Sequence, residues 1–92
     1  MDGVKSGQTL TSKQFVDLFT KISDDYSAEL SFDGEVTINE SCGRLQVARL
    51  GNNWQFWLFE YERAYSWKEL DLMAQLAATP PELRGGQTNA SN

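Results

Sequence analysis

From Trp54 to Tyr61 the side chains divide by a two-residue period. Trp54, Phe56 and Leu58 fall on one side and Trp57, Phe59 and Tyr61 on the other, as successive residues of a strand do. A helix over the same residues would scatter the rings around its whole cylinder. Aromatic enrichment and the preceding Gly51-Asn52-Asn53 also predict a strand. A strand apolar on both faces is usually covered on both, so the covering of its second face bears directly on function.

The rest of the chain has simpler periods. Leu10 to Asp24 predicts a helix: Thr11 and Gln14 have capping-box spacing, Leu10 and Phe15 stand at the staple positions, and Phe15, Val16, Leu18, Phe19 and Ile22 share a face. Ala28 and Leu30 then alternate with Glu29 and Ser31, and Val36 and Ile38 with Thr37 and Asn39, on either side of an Asp33-Gly34 turn. A two-residue loop would set apolar against polar residues. A three-residue loop Phe32-Asp33-Gly34, with Gly34 left-handed, pairs Leu30 with Val36 and Ala28 with Ile38 and leaves Phe32 at the turn. Arg44 to Leu50 predicts a third strand. A two-residue Gly51-Asn52 turn would set Arg49 against Trp54, Val47 against Phe56 and Leu45 against Leu58. Ser66 and Glu69 form a second capping box. The helix behind it runs to about Ala78, before Thr79-Pro80-Pro81, with a broad apolar arc of Trp67, Leu70, Met73, Ala74, Leu76 and Ala77. Pro80 to Arg84 is expected to extend away.

These elements predict an α+β fold, a two-layer sandwich of order α-β-β-β-β-α. Its four strands form an antiparallel meander of order 1-2-3-4 with both helices on one face. In this arrangement Trp54, Phe56, Leu58, Leu45 and Val47 meet the helices, while Trp57, Phe59 and Tyr61 face outward. Residues 1–9 are expected to be a flexible N-terminus, 10–84 the single domain and 85–92 a disordered tail.

Charge and composition narrow the function. Thirteen acids against eight bases give a formal charge of −5, which argues against direct nucleic-acid binding and suits a basic partner. The one cysteine, Cys42, fits a reducing compartment. No signal peptide or membrane-spanning run is visible, so a cytoplasmic protein is expected. The chain has no histidine, no phosphate-binding glycine loop and no zinc or calcium pattern. Glu60 and Glu62 are merely alternate residues at a strand end. No enzymatic activity, cofactor or metal is expected.

Two candidate partner surfaces remain. The first is aromatic: Trp57, Phe59 and Tyr61, with Arg44 beside them on the third strand. Rings so placed serve a partner or dimer contact, unless the chain's own segments cover them. The second is acidic: Asp24, Asp25, Glu29, Asp33, Glu35 and Glu40 lie between Ile22 and Gly43, a stretch without Lys or Arg. Such a tract is either a solvated face or a negative hairpin that docks on a basic, nucleic-acid-binding protein. Size, acidity, paired capping boxes and the aromatic strand together resemble, in composition and without a shared motif, small phage and mobile-element proteins that block a host machine. The resemblance implies an inhibitor or adaptor. The other reading is a homodimeric chaperone or structural protein with the aromatic strand as its seam.

Overall fold

The computed structural model describes residues 9–43 and 45–85. The flexible ends expected at 1–9 and 85–92 lie outside the described residues except for Thr9 and Gly85, and Arg44 lies outside them too.

Helix α1 (Ser12–Ile22) starts at the expected cap. The Gln14 N–H donates to Thr11 Oγ1 at 3.1 Å, and the Thr11 N–H donates to Gln14 Oε1 at 3.0 Å. A cap of this kind contributes about 1 kcal/mol. Leu10, Phe15 and Phe19 are buried, whereas Leu18 and Ile22 stay half-exposed.

Four strands follow: β1 (Tyr26–Leu30), β2 (Val36–Glu40), β3 (Gln46–Leu50) and β4 (Leu58–Phe59). They form an antiparallel sheet in the order β1-β2-β3-β4, the meander the alternation predicts. In the β1–β2 hairpin Leu30 pairs with Val36 and Ala28 with Ile38, the register of the three-residue loop. Gly34 has φ of 93°, a conformation that only glycine adopts without strain. The β1 edge is blocked from the side: the Tyr26 N–H donates to Ser23 Oγ at 3.0 Å and the Ala28 N–H to Thr20 Oγ1 at 3.1 Å. Hydroxyls at the end of α1 thus occupy donors that an edge strand would offer to another chain.

Helix α2 (Trp67–Ala78) also begins with its expected box, the Glu69 N–H on Ser66 Oγ and the Ser66 N–H on Glu69 Oε1. Met73 and Leu76 enter the core beside Phe15, Phe19, Val36, Ile38, Val47, Ala48 and Leu50. The Leu10 N–H donates to Thr79 Oγ1 at 3.0 Å, tying the start of the domain to the end of α2. Pro80 to Arg84 does not extend away. Pro81–Arg84 makes a one-turn helix, α3, and Arg84 turns back into the protein with only 3% of its surface exposed.

The structure corrects the expected faces of the last two strands. Val36 pairs with Leu50 and Ile38 with Ala48, so the helix-facing side of β2 continues onto Leu50 and Ala48. The register then shifts at Ile38/Asn39, where Asn39 pairs with Gln46. This bulge leaves Val47 without a partner on β2, although its carbonyl accepts the Glu60 N–H at 2.8 Å on the other side, and buries it and Ala48 as neighbours. Ala48 pairs with Phe59 and Arg49 with Leu58, four residues beyond the expected register. The reason lies at Gly51. A Cβ there would sit 2.6 Å from the Trp54 indole, so the indole folds back over the glycine and the chain leaves β3 in a wider loop. Trp57 consequently points inward, where its ring lies 5.5 Å from Phe15 and its Nε1–H donates to the Met73 carbonyl at 2.7 Å. Phe56, Leu58 and Leu45, expected in the core, are exposed.

Candidate functional site

The aromatic surface survives, with different members. Trp57 leaves it for the core. Phe59 and Tyr61 remain about half-exposed and line a depression of about 310 Å³ together with Glu62, Arg63, Tyr65 and Leu70. Arg44, the fourth expected member, lies outside the described residues.

Three elements build this depression. The short β4 carries Phe59 through its pairing with Ala48. The linker to α2 brings Tyr65 beneath it, with ring centroids 5.8 Å from Phe59 and 4.8 Å from Tyr26. The Tyr26 hydroxyl donates to the Ala64 carbonyl at 2.8 Å and pins that linker to β1. The capping box then orients the first turn of α2 so that Leu70 faces the depression and Trp67, one turn earlier on the same side, stands 75% exposed. Ala74, one turn later, is exposed as well. Trp67, Leu70 and Ala74 are the part of the α2 arc that the core does not take up, and the excess width of that arc was their signal in the sequence.

At the rim, the Arg63 Nε–H donates to Glu40 Oε2 at 2.5 Å, and its guanidinium carbon lies 5.5 Å from the Tyr61 ring centroid. The bond to Glu40 raises the Arg63 pKa further. Glu62 makes no ion pair among the described residues. The Tyr65 hydroxyl is buried without a hydrogen-bond partner among the described residues. Burial, with the nearby Tyr26 as the next cause, pushes its pKa up to about 12. Folding therefore holds a proton on Tyr65 that the unfolded chain releases near pH 10. The resulting stability is intact below pH 10 and is lost as pH rises from 10 towards 12. In a spectrophotometric titration the folded protein should still gain phenolate absorbance above pH 11, with alkaline unfolding following that gain; full phenolate absorbance by pH 11 without unfolding would contradict the burial.

The six expected acids do not form one free surface. Asp24 and Asp25 are exposed in the turn between α1 and β1, and Glu29 is exposed on β1. Asp33 is exposed in the β1–β2 turn, where the Ser31 hydroxyl donates to Oδ1 and the Glu35 N–H does so at 3.2 Å; the Ser31 bond is the larger cause of its lowered pKa. Glu35 lies 3.1 Å from Arg49 Nη1 and Glu40 pairs with Arg63. Arg49 also approaches Glu60 at 3.3 Å through Nε and covers the Trp54 ring at 5.2 Å. Glu35 and Glu40 are thus partly neutralised by arginines distant in sequence, while Asp24, Asp25, Glu29 and Asp33 carry no ion pair among the described residues. A polar hollow of about 280 Å³ beside them is lined by Ser27, Glu29, Asn39, Glu40 and Ser41.

No cluster of three His, Cys, Asp or Glu side chains that could hold a metal occurs among the described residues, and no helix there is long and apolar enough to cross a membrane. Comparison with protein-family models, with curated proteins and with solved structures finds no match to this chain.

Proposed function

We propose that this chain is a non-enzymatic protein-interaction module of the inhibitor or adaptor kind, acting in the cytoplasm on a basic partner protein. The observation that carries the reading is the aromatic depression. Phe59, Tyr61 and Leu70 keep roughly half their surface in water around it, beside an almost free Trp67. Contiguous apolar surface held open by a rigid scaffold is typical of a docking site, and ring side chains dominate the energetics of such sites. The net charge of −5 favours a basic partner over nucleic acid.

The test uses Tyr61→Ala/Leu70→Ala. Both side chains are already half-exposed, so the variant should melt within about 1 kcal/mol of wild type. Proteins captured from extracts of the native host by the wild type should be lost by about tenfold or more with the variant. An identical set of captured proteins would remove the depression from the reading.

A second reading, the homodimer, has its own observation. The β1 edge is blocked by Thr20 and Ser23, whereas β4 leaves Leu58 and Phe59 exposed at the other edge of the sheet. Sedimentation separates the readings: a concentration-dependent dimer abolished by Leu58→Lys supports the seam, and a monomer throughout dismisses it.

A further inference from the structure

At the tip of the β1–β2 hairpin, Phe32 has a relative exposure of 105%. Its ring buries none of its surface, so the fold gains nothing from it. Turns of this kind favour Asn, Asp, Ser, Gly and Pro, and a phenyl ring is not among those preferences. The turn is also closed by a dense set of bonds. The Ser31 N–H donates to the Glu35 carbonyl at 2.9 Å and the Gly34 N–H to the Ser31 carbonyl at 3.0 Å, while the Glu35 N–H reaches Ser31 Oγ at 3.1 Å. The side of Gly34 lies against the Asn52 side chain of the β3–β4 loop, so close that a Cβ would be 2.6 Å from Oδ1. A phenyl ring therefore stands fully in water on a braced support.

Its free charged neighbours are acidic. Arg49 takes up Glu35 at 3.1 Å, but Glu29 and Asp33 near the tip make no ion pair among the described residues. Leu30, two residues before Phe32, is half-exposed. From this juxtaposition we infer that Phe32 is an anchor residue that enters an apolar pocket edged by Lys or Arg on a partner protein, with Glu29 and Asp33 meeting that basic edge. The inference rests on the reading of the chain as a protein-binding module and gives it a second contact, separate from the Phe59/Tyr61/Leu70 depression. Pre-organisation favours such an anchor, because the turn loses little freedom on binding. A membrane is the poorer occupant, since anionic headgroups repel the acids beside the ring.

The experiment places the photo-crosslinker p-benzoylphenylalanine at position 32 or, separately, at position 61 of the full chain and irradiates it in native-host extract. Position 32 should form an adduct with another protein, and the attached peptide should carry Lys or Arg next to apolar residues. Unlabelled wild type should compete for this adduct roughly tenfold or more better than Phe32→Ala, which should melt with the wild type. Glu29→Gln/Asp33→Asn keeps the turn's acceptor atoms and should compete roughly three- to tenfold worse than wild type at low salt. An adduct from position 61 with none from position 32 overturns this inference and leaves the depression standing. The reverse result removes the depression and keeps the anchor. An adduct from position 32 to lipid or to a second copy of this chain, equal competition by Phe32→Ala, or no adduct from either position would overturn the anchor.

Discussion

Arg84→Met is expected to lose roughly 3–5 kcal/mol of stability through the carbonyls it leaves unpaired, enough to leave a chain of 92 residues close to its unfolding threshold, since domains of this size hold about 5–14 kcal/mol in all. Arg84 is buried, and among the described residues none of its hydrogen-bond partners is a carboxylate. Its guanidinium donates to the carbonyls of Thr79 and Ala77 at the end of α2 and to those of Gly51, Asn52 and Trp54 in the β3–β4 loop. Burial lowers its pKa, but the carbonyl dipoles still let the charge remain inside. The residue joins a helix end, whose last carbonyls have no partner within the helix, to a loop with no ladder of its own. Methionine fills the volume and supplies no donor. The Gly51 carbonyl keeps the Trp54 N–H at 3.0 Å, but the Thr79, Ala77, Asn52 and Trp54 carbonyls lose the guanidinium, and a buried acceptor left unpaired costs about 1–3 kcal/mol. Lysine restores a charge without the planar fork and should recover only part of the loss. Urea denaturation measures both variants. A loss below 1 kcal/mol in Arg84→Met would show that the clamp is ornamental.

Trp57→Ala should cost a similar amount, about 3–5 kcal/mol. The indole fills the space between Phe15 and α2, and its Nε1–H reaches the Met73 carbonyl. Trp57→Phe keeps a ring against Phe15 and drops the hydrogen bond, so its cost should be clearly smaller. The comparison also separates two roles for this residue. A docking tryptophan would give a variant that melts normally and binds nothing. The inward tryptophan gives a variant that melts early, with any binding loss following from unfolding. Thermal melts of both variants, read before any binding assay, decide the matter.

The two capping boxes and the β1–β2 register were open to sequence reading because each is local: a hydroxyl and a Gln or Glu three residues apart, or a glycine whose left-handed turn sets the pairing behind it. The faces of β3 and β4 were not. The bulge at Val47 buries two successive residues, so neither phase of the alternation describes that strand. Gly51-Asn52 has the composition of a two-residue turn, yet the indole of Trp54 occupies the space above Gly51 and delays the next pairing. Leu50, with Ala48, was the available clue, since it continues the apolar side of Val36 and Ile38. The acidic tract misled in another way. Its freedom from Lys and Arg is a property of the stretch, whereas Arg49 and Arg63 reach Glu35 and Glu40 from later strands and linkers. Half of the depression's apolar lining was legible as Phe59 and Tyr61. The other half, Tyr65 and Leu70, depends on where the α2 cap is placed in space.

Amide hydrogen exchange, followed by mass spectrometry on the free chain and on the chain bound to its captured partner, tests the central claim most directly. The account expects slowed exchange across residues 58–70, where β4, the linker and the first turn of α2 surround the depression, with β3 unchanged. Unchanged exchange across 58–70 in a saturated complex would contradict it.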